Sequence, residues 1–549
     1  MGEHRGKRAT RVAGRIIVIV AAGVTAGTGV VVAGSGGHSG STASASQPSA
    51  SGPEVVSLRV PAAESLSTAR QRGRQLVAKL SRTATADYGM VAVTWAQGTA
   101  PAGTKVRVRS QIDGAWTRWQ GLPVELDEGS SAGQEGRVRD GTSPLWVGDG
   151  TGVAVRVTAP RGKGPDRVRV ETIDPGSDPT SASSRIAAAG LKPLRAPRFP
   201  KMPRIITRAQ WGADPALNDR CFPPRYGRTA KMVFVHHTVN SNDYSRADGK
   251  RIVRAIHAYH TQSRGWCDIG YNFLIDKYGR IYEGRRGGMR LPVRGAHAGD
   301  YNTNTVGVSL IGNFETARPT KKMKNALIRF IGWRLGTSYK PARGTVVVNG
   351  HRFERISGHR DAMSTACPGR YVYRWLPKLR DRVASYLSEY RSPIRVRAKQ
   401  MGRDVTGQVF RGETQQSGGI RTDFNHGAMF AKAGFGAHWL SGAALRAYRD
   451  RGGTGSRLGF PRTDSVHTDV PGVRRVDFEH GRMYRIGKHK AYTLWGRILI
   501  RYRDLDGING RLGLPRSNMV PIRNGRKATF AHGSITWNQR ANTVTVEFS

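Results

Sequence analysis

The sequence predicts an α/β domain in the middle of the chain, preceded by a β-sandwich-like domain and followed by repeated units. In the middle, nearly all-apolar β-runs alternate with amphipathic helical patterns, which is typical of strands buried on both faces under helices. Before it, short runs of alternating apolar residues are separated by turns that contain Gly and Pro. After it, short motifs recur at a fixed offset. With 549 residues, the chain is long enough for three folded parts.

The N-terminus predicts export. A basic segment precedes an uncharged, mostly apolar run at residues 16–34, so we interpret residues 1–34 as a signal peptide or a single membrane anchor. The basic residues are Arg5, Lys7, Arg8, Arg11 and Arg15. The triplet at residues 43–45 satisfies the small-x-small cleavage rule but lies late, which leaves an uncleaved anchor as the alternative. Residues 35–54, rich in Gly, Ser and Ala, are predicted to form a flexible linker.

Residues 55–174 are predicted to form the β-rich, sandwich-like domain. Short runs such as residues 90–95 and 153–157 have the composition of strands, and one helix is predicted near residues 66–80. The tryptophans of this region either fill the core or form a sugar-stacking platform, and the burial energy of large aromatic rings favours the core. These tryptophans are Trp95, Trp116, Trp119 and Trp146.

A second linker at residues 175–203, rich in Pro, Ser, Arg and Ala, precedes the α/β domain at residues 204–392. Two amphipathic helices are predicted there. Residues 248–262 place Ile252 and Tyr259 on one stripe, and residues 320–335 do the same with Leu327 and Phe330. The β-runs near residues 232, 271 and 305 are nearly all apolar, so helices are expected to cover both faces of their sheet.

Residues 395–549 repeat internally. Leu-Gly-Phe-Pro at residue 458 recurs as Leu-Gly-Leu-Pro at residue 512, and Phe-x-His-Gly occurs at residues 424, 478 and 530. We therefore predict three similar units of about fifty residues. The recurring histidines of the third motif, His426, His480 and His532, could indicate a metal site, but one copied turn explains them more simply, and we favour the turn.

The charge of the chain predicts binding to polyanions. The 88 Lys and Arg residues exceed the 39 Asp and Glu residues, and the formal net charge is +49. An exported protein meets anionic cell-wall polymers and lipid headgroups rather than DNA. Nucleic acid is therefore not an expected partner.

The segment at residues 358–368 contains the strongest candidate for chemistry. His359 and Cys367 lie among turn-forming residues, which suits two ligands on a loop that closes around one zinc ion. Catalytic zinc usually takes three protein ligands and keeps one position for water, and the best third source is a β-run that ends in His236 and His237. Because successive strand residues point to opposite faces, only one of these two histidines is expected to reach the metal.

The motifs of the α/β domain follow one another in a distinctive order. An opening Arg-Ala-Gln-Trp-Gly-Ala precedes strand-His-His-Thr, Gly-Trp-x-Asp-x-Gly-Tyr-Asn-Phe, Tyr-Glu-Gly-Arg, Gly-Ala-His, and Gly-His-Arg-Asp with a Thr-x-Cys-Pro end. Over about residues 204–392, this order resembles the peptidoglycan recognition protein and N-acetylmuramoyl-L-alanine amidase (type 2 amidase) family. The C-terminal units resemble the LGFP repeats of actinobacterial wall proteins, although the first unit lacks the Leu-Gly-Phe-Pro core.

The resemblance implies an α/β amidase domain with a mixed central sheet flanked by helices, and it implies roles for particular residues. His236, His359 and Cys367 would be the ligands of Zn2+, with Tyr271 and Thr365 as catalytic residues beside the metal-bound water. His297 matches a groove residue of the family and would contact substrate. Some relatives have lysine where this chain has Thr365, so a cationic version of the mechanism is not expected.

Other histidines, acidic residues and cysteines have simpler interpretations. His257 and His260 are spaced as metal ligands on a helix, but they lack the pattern of a zinc-protease helix and are predicted to be surface or packing residues. Glu283 and Asp361 are the nearest candidates for proton transfer, and each is more simply a structural acceptor. If Cys367 binds zinc, Cys221 and Cys267 remain as a candidate disulfide, with two free thiols as the alternative.

The sequence therefore predicts a zinc-dependent amidase that cuts peptidoglycan between the lactyl group of N-acetylmuramic acid and L-alanine. Two alternatives remain. A recognition module would bind peptidoglycan without cutting it, and a basic surface protein would bind wall polyanions only. The presence of Cys367 with both histidines and Tyr271 favours catalysis. The predicted location is secreted and wall-associated, or tethered to the outer face of the membrane by an uncleaved N-terminal segment.

Overall fold

The computed structural model describes residues 52–63, 74–125, 138–160, 164–178, 199–218, 223–416 and 418–549. The predicted signal or anchor at residues 1–34, most of the linker at 35–54, much of the linker at 175–203 and Cys221 lie outside these ranges. Within the described part of the chain, none of the helices has the length and apolar character needed to cross a membrane.

The N-terminal β-domain is an antiparallel sheet whose two longest strands, β2 and β8, pair with each other along much of their length. Bulges interrupt that pairing at several points, which lets the long strands bend. The order across the sheet is β1-β9-β2-β8-β3-β4, with β5 paired to β3 and the β6-β7 pair joined to β2. The strands are β1 (Glu54–Arg59), β2 (Arg74–Ala96), β3 (Lys105–Ile112), β4 (Ala115–Trp116), β5 (Gln120–Leu122), β6 (Val124–Glu125), β7 (Arg139–Thr142), β8 (Leu145–Pro160) and β9 (Arg169–Asp174).

The predicted helix near residues 66–80 is wrong where the structure describes it. Residues 74–80 belong to β2, where Gln75 pairs with Ala159 and Lys79 pairs with Arg156 of β8. The leucine spacing in this segment fits a helix and a strand equally well, and pairing with a distant strand decides between them. Residues 64–73 lie outside the described residues.

The tryptophans of the β-domain divide into two groups. Trp95 and Trp146 are buried, at 0% and 3% exposure, as the core interpretation expects. Trp116 and Trp119 are only half-buried, and arginine side chains lie against their rings. The core interpretation therefore holds for the first pair and is wrong for the second.

The central domain is built on a mixed sheet of order β10-β13-β12-β14-β11-β17, in which only the β12-β13 pair is antiparallel. This matches the predicted α/β class with a mixed sheet. Its elements are β10 (Ile205–Ile206), α1 (Arg208–Trp211), β11 (Met232–His237), α2 (Asp248–Ala258), β12 (Phe273–Ile275), β13 (Ile281–Glu283), β14 (Thr305–Leu310), α3 (Lys321–Thr337), a hairpin of β15 (Thr345–Val348) and β16 (His351–Glu354), β17 (Ile356–Gly358), α4 (Arg370–Tyr373) and α5 (Leu376–Tyr386).

Helices cover both faces of this sheet, as the apolar strands predict. One face packs Val235 and Val308 against Leu327 of α3 and Leu379 of α5. Helix α3 begins where Thr320 caps it, with the Thr320 hydroxyl accepting a hydrogen bond from Met323 N. The other face packs against α2, whose predicted stripe is buried.

The β-domain and the central domain share this second core. Met90 and Ile173 of the β-domain pack in one cluster with Ile252 and Tyr259, on α2 and the turn that follows it. Polar contacts reinforce the junction, because the Tyr259 hydroxyl donates a 2.6 Å hydrogen bond to the carbonyl of Thr142. These two parts are therefore not independent in their packing.

The repeat region consists of helix-led units, each with a four-stranded antiparallel sheet. Each helix precedes a tight turn and then the strands of its own unit. The elements are α6 (Pro393–Met401), α7 (Arg403–Thr406), β18 (Val409–Gln416), β19 (Gly419–Phe424), β20 (Ala428–Lys432), β21 (Gly436–Leu440), α8 (Gly442–Asp450), β22 (Val466–His467), β23 (Val473–Asp477), β24 (Gly481–Ile486), β25 (Lys490–Trp495), α9 (Gly496–Asp504), β26 (Val520–Ile522), β27 (Gly525–Phe530), β28 (Gly533–Asn538) and β29 (Thr543–Phe548).

The recurring motifs of the repeats form the same hydrogen bond between a helix tyrosine and a turn glycine. The hydroxyl of Tyr448 in α8 donates a hydrogen bond to the carbonyl of Gly459 at 2.5 Å, and Tyr502 does the same to Gly513 at 2.6 Å. Both glycines have positive φ, which favours glycine at the turn. In the first unit, Gly407 has the same positive φ, so this unit keeps the glycine although it lacks the rest of the motif.

Candidate metal centre and active site

The candidate site lies where two neighbouring parallel strands end. His236 is near the end of β11, and His359 directly follows β17, which pairs with β11. Because parallel strands end at the same edge, the two side chains meet outside the carboxyl ends of the sheet. The topology therefore brings together residues that are far apart in sequence.

A loop returns from His359 to place Cys367 beside the strand ends. The backbone N–H of Arg360 donates to the carbonyl of Cys367 at 2.9 Å, which closes the loop. Asp361 accepts hydrogen bonds from Gly358 N at 2.8 Å and from the Tyr373 hydroxyl at 2.6 Å. Asp361 is therefore occupied as a structural acceptor, consistent with its sequence interpretation.

The structure brings His236, His359 and Cys367 together. One ligand atom of each lies within 4.8 Å of the others, and all three side chains are buried. Cys367 Sγ is 3.8 Å from His236 Nδ1, and the His236 and His359 rings are 4.6 Å apart between centroids. Among the described residues, this is the cluster of His, Cys, Asp and Glu side chains that could hold a metal.

The donor set fits zinc. With bond lengths of about 2.1 Å to nitrogen and 2.3 Å to sulfur, two ligands of a tetrahedral ion lie roughly 3.6 Å apart, close to the 3.8 Å between Cys367 Sγ and His236 Nδ1. Burial lowers the pKa of His236 and lowers the pKa of His359 to about 3, so both imidazoles are neutral and can donate a lone pair. The backbone N–H of His237 donates to Cys367 Sγ at 3.3 Å and favours the thiolate.

His297 lies behind His236. Its Nδ1 is 3.2 Å from His236 Nε2, and its side chain is fully buried. His236 therefore has one ring nitrogen beside Cys367 and the other beside His297. The predicted contact between His297 and substrate stays a prediction.

His236 and His237 point in opposite directions, as strand alternation predicts. The ring of His237 accepts a hydrogen bond from Phe314 N at 3.1 Å and packs beside the Phe314 ring. Its imidazole is thus directed away from the metal cluster, while its backbone contacts Cys367. Of these two neighbouring histidines, only His236 contributes its ring to the cluster.

Tyr271 and Thr365 make different contacts with the candidate centre. The ring of Tyr271 is 5.4 Å from that of His236, and only 5% of the residue is exposed. Thr365 precedes Cys367 in the loop, and its hydroxyl oxygen accepts a hydrogen bond from Cys367 N at 3.2 Å. Tyr271 therefore borders the cluster directly, while the hydroxyl of Thr365 contacts the ligand loop.

Comparison with known proteins identifies the family. Residues 226–370 match the family model described as N-acetylmuramoyl-L-alanine amidase. Peptidoglycan recognition protein 1 of Bos taurus is 34% identical over 171 residues, covering 31% of this chain and 80% of that protein. The peptidoglycan recognition protein of Trichoplusia ni is 36% identical over 175 residues, covering 31% and 86%. The chain belongs to the peptidoglycan recognition protein and type 2 amidase family. Among solved structures, Drosophila PGRP-LB is 33% identical, covering 31% of this chain and 91% of that chain with a TM-score of 0.26.

The flanking regions of this family member match models of their own. Residues 458–510 match the LGFP repeat, as predicted from the recurring motif. Residues 41–183 match a model described as the Rv3811 N-terminal galactose-binding domain-like family. The predicted arrangement of an amidase-type α/β domain between a β-rich domain and LGFP repeats is confirmed.

The other histidines considered from the sequence are not part of this centre among the described residues. His257 and His260 are buried rather than on the surface, at 1% and 2% exposure. His257 Nε2 lies 3.2 Å from Asp268, and His260 Nδ1 accepts a hydrogen bond from Gly270 N at 3.1 Å. Both are packing residues. In the repeats, His426, His480 and His532 each lie in the turn between two paired strands of a separate sheet, which agrees with the simpler interpretation of their recurrence.

Two of the three cysteines lie among the described residues. Cys267 is disulfide-bonded, whereas Cys367 is not part of a disulfide. Cys221 lies outside the described residues, so the Cys221–Cys267 pairing stays a prediction.

The sequence interpretation missed two residues that support the family site. A Cβ on Gly307 would lie 2.3 Å from the His297 ring, so glycine in β14 leaves the space that this ring occupies. Asn272 accepts a hydrogen bond from Gly307 N at 2.8 Å and donates one to the carbonyl of Val293 at 3.0 Å. A glycine inside an otherwise apolar strand was the available signal for this close approach.

Proposed function

We propose that this chain is a zinc-dependent N-acetylmuramoyl-L-alanine amidase, which hydrolyses the bond between the lactyl group of N-acetylmuramic acid and L-alanine in peptidoglycan. The observation that carries the proposal is the buried cluster of His236, His359 and Cys367, with its ligand atoms within 4.8 Å. A chain that only bound peptidoglycan would not need this donor set. The names of the family model and of the relatives support peptidoglycan as substrate.

His236, His359 and Cys367 would hold the zinc, which when bound supplies a Lewis acid and lowers the pKa of water so that a nucleophile forms near neutral pH. The chain's own contribution begins with the orientation of these ligands. His297 Nδ1 contacts His236 Nε2, which leaves Nδ1 of His236 for the metal. The N–H of His237 holds Cys367 Sγ in place.

Tyr271 and Thr365 would assist the reaction by donating hydrogen bonds to the substrate. A phenol and a hydroxyl donate hydrogen bonds while they remain neutral at pH 7, so each can stabilise the negative charge that develops on the amide oxygen. Tyr271 is already placed beside the His236 ring. In this role, Thr365 would use its hydroxyl hydrogen for substrate while its oxygen accepts from Cys367 N.

The organisation of the chain supports a role at the wall. We propose residues 1–34 as signal or anchor, 35–54 and 175–203 as linkers, 55–174 as the β-rich domain, 204–392 as the amidase domain and 395–549 as the repeats. The LGFP repeats and the charge of +49 support retention near anionic wall polymers, either as a secreted protein or tethered outside the membrane.

The proposal is tested by digesting purified sacculi with the full-length protein, before and after zinc removal, and detecting new N-terminal alanine by mass spectrometry. We expect activity that zinc restores. His359→Ala and Cys367→Ser should lose both bound zinc and activity, because two remaining ligands hold the ion weakly. Binding to sacculi without any new N-terminal alanine would instead indicate a recognition protein. Full zinc content in both variants would contradict the ligand assignment.

A further inference from the structure

Two tryptophans and three arginines alternate on the solvent side of the β-domain. The guanidinium of Arg109 lies over the rings of both Trp116 and Trp119, at 5.2 and 4.9 Å from their centroids. The guanidinium of Arg82 also lies over the Trp116 ring, at 5.5 Å from its centroid. The guanidinium of Arg156 lies over the Trp119 ring, at 4.5 Å from its centroid. We call these five residues the Arg-Trp ladder.

The local sequence explains how the ladder is assembled. Asp113 and Gly114 both have positive φ, which is the conformation of a tight two-residue hairpin turn. This turn folds β4 back along β3, so that Trp116 pairs with Gln111. Because residues two apart on a strand share a face, Trp116 then lies on the same face as Arg109.

Further cations lie on the same face. Arg107 of β3 pairs directly with Arg156 of β8, and Arg156 pairs with Lys79 of β2, so three cations form one row across three strands. Like charges directly opposite each other destabilise a sheet. Arg107 also donates a hydrogen bond to the carbonyl of Trp119 at 3.4 Å, which ties the row to the ladder.

No carboxylate compensates this charge within the described part of the chain. None of the ion pairs there involves Arg82, Arg107, Arg109 or Arg156, whereas Arg254, at the junction with the central domain, is paired with Asp178 at 2.8 Å. The neighbours Arg82 and Arg156 contribute, after desolvation, to lowering the pKa of Arg109. An external anion would relieve this repulsion.

The geometry also restricts the class of ligand. The guanidinium groups lie over the indole rings, and their N–H groups can bind oxyanions as planar forks. The same contacts cover the tryptophan faces, so these are not open platforms for bare sugar rings or nucleobases, on which single-stranded nucleic acid binding depends. Several forks in series suit a polymer with repeated anions better than one small ion.

We propose that the Arg-Trp ladder is a binding site for a phosphate-bearing polysaccharide. The arginines contact successive phosphate groups, and the tryptophans hold the arginines apart and in register. This site is separate from the amidase centre and does not depend on catalysis.

The test measures binding of the full-length protein to phosphomannan at several salt concentrations. The double variant Arg109→Gln/Arg156→Gln should bind at least about tenfold more weakly, because it removes charge-assisted hydrogen bonds to the polymer. The matched control is Arg59→Gln/Arg169→Gln, which removes the same charge from an exposed pair of the same domain and should bind almost as the wild type does.

A second variant distinguishes loss of the binding site from loss of the fold. Replacing Arg82, Arg109 and Arg156 by lysine keeps the charge but removes the planar forks, so binding should weaken while the salt dependence stays similar. Equal losses in the ladder variant and the control would mean that diffuse charge binds the polymer, and the proposal would fail. Equal binding of unphosphorylated mannan or hyaluronate would overturn phosphate recognition, and preferential binding of poly(U) would indicate nucleic acid instead.

Discussion

At the scale of single residues, His236 has the most constrained environment in the site. One ring nitrogen is 3.8 Å from Cys367 Sγ and the other is 3.2 Å from His297 Nδ1. Cys367 and His297 are both far from His236 in sequence, and each lies in a loop. The orientation of the His236 ring therefore depends on the positions of these two loops. A substitution of His297 should therefore weaken zinc binding through His236, although His297 is not itself a proposed ligand.

His297→Phe should weaken zinc binding by about 10- to 100-fold, the usual cost of losing the partner that orients a ligand. Zinc affinity is measured by competition with a chelator. His257→Phe is the matched control, since it also removes a buried imidazole from the same domain but one that contacts Asp268 rather than His236. Unchanged zinc affinity with weaker muropeptide binding would favour the substrate contact that the family resemblance implies.

Tyr271→Phe separates binding from chemistry. Loss of one donor to a developing oxyanion costs about 10²–10³ in turnover, so this variant should bind a soluble muropeptide normally and cut it slowly. Tyr282→Phe in β13 serves as the control. It removes a buried hydroxyl that donates a hydrogen bond to Asp276, so it should change stability only. If both variants turn over alike, Tyr271 has no part in the reaction.

At the scale of elements, the strand pattern was readable from sequence and the exact pairing was not. The apolar runs of β11 and β14 and the stripes of α2 and α3 follow directly from burial on both faces of a sheet. The ligands His236, His359 and Cys367 could be proposed because an ordered set of motifs carried them. The Arg-Trp ladder could not, since Arg82, Arg109 and Arg156 meet only through the register of β2, β3 and β8.

Gly307→Ala should disturb β14 and the site together. The new Cβ would lie 2.3 Å from the His297 ring, and such overpacking typically costs about 1–3 kcal/mol of unfolding free energy. Thermal unfolding gives the stability, and chelator competition gives the zinc affinity, which should fall as His297 moves. Gly121→Ala, with no atom within 4 Å of its Cβ, is the control that should change neither.

Tyr448→Phe tests the tyrosine–glycine hydrogen bond that the repeats share. It removes the hydroxyl that donates to the carbonyl of Gly459 and leaves this buried acceptor without its donor, at a cost of about 1–3 kcal/mol. Tyr492→Phe in the neighbouring β25 is the comparison, because no hydrogen bond of its hydroxyl joins it to the described residues. Denaturant unfolding that shifts equally for both would remove the Tyr-Gly contact from the explanation of the repeat.

At the scale of the whole molecule, the repeats join the central domain through a buried carboxylate. Glu413 of β18 accepts hydrogen bonds from the hydroxyls of Tyr339, Tyr390 and Ser392, with the Tyr390 contact at 2.6 Å. Burial raises the pKa of Glu413, although the three hydroxyls act in the opposite direction. The sequence offered no signal for this junction, because its members come from three separate segments of the chain.

The raised pKa predicts a pH dependence. The folded state favours protonated Glu413 more than the unfolded chain does, so its contribution to stability is fully present below the ordinary carboxyl pKa of about 4.3 and is lost as pH rises through the raised value. Glu413→Gln should remove this part of the dependence. The measurement is the thermal midpoint of wild type and variant from pH 4 upward, and parallel profiles would contradict the assignment.

The shared core around α2 also determines what happens when the chain is cut. Arg254 donates hydrogen bonds to the carbonyls of Pro175 and Gly176 on one side of residues 179–198, and to the carbonyl of Trp211 on the other. Cleavage within that segment by a protease would thus leave two polypeptides joined by Met90, Ile173, Ile252 and their neighbours. The nicked protein should elute as one particle and separate only in denaturant, so proteolysis at this point would not release the central domain from the β-domain.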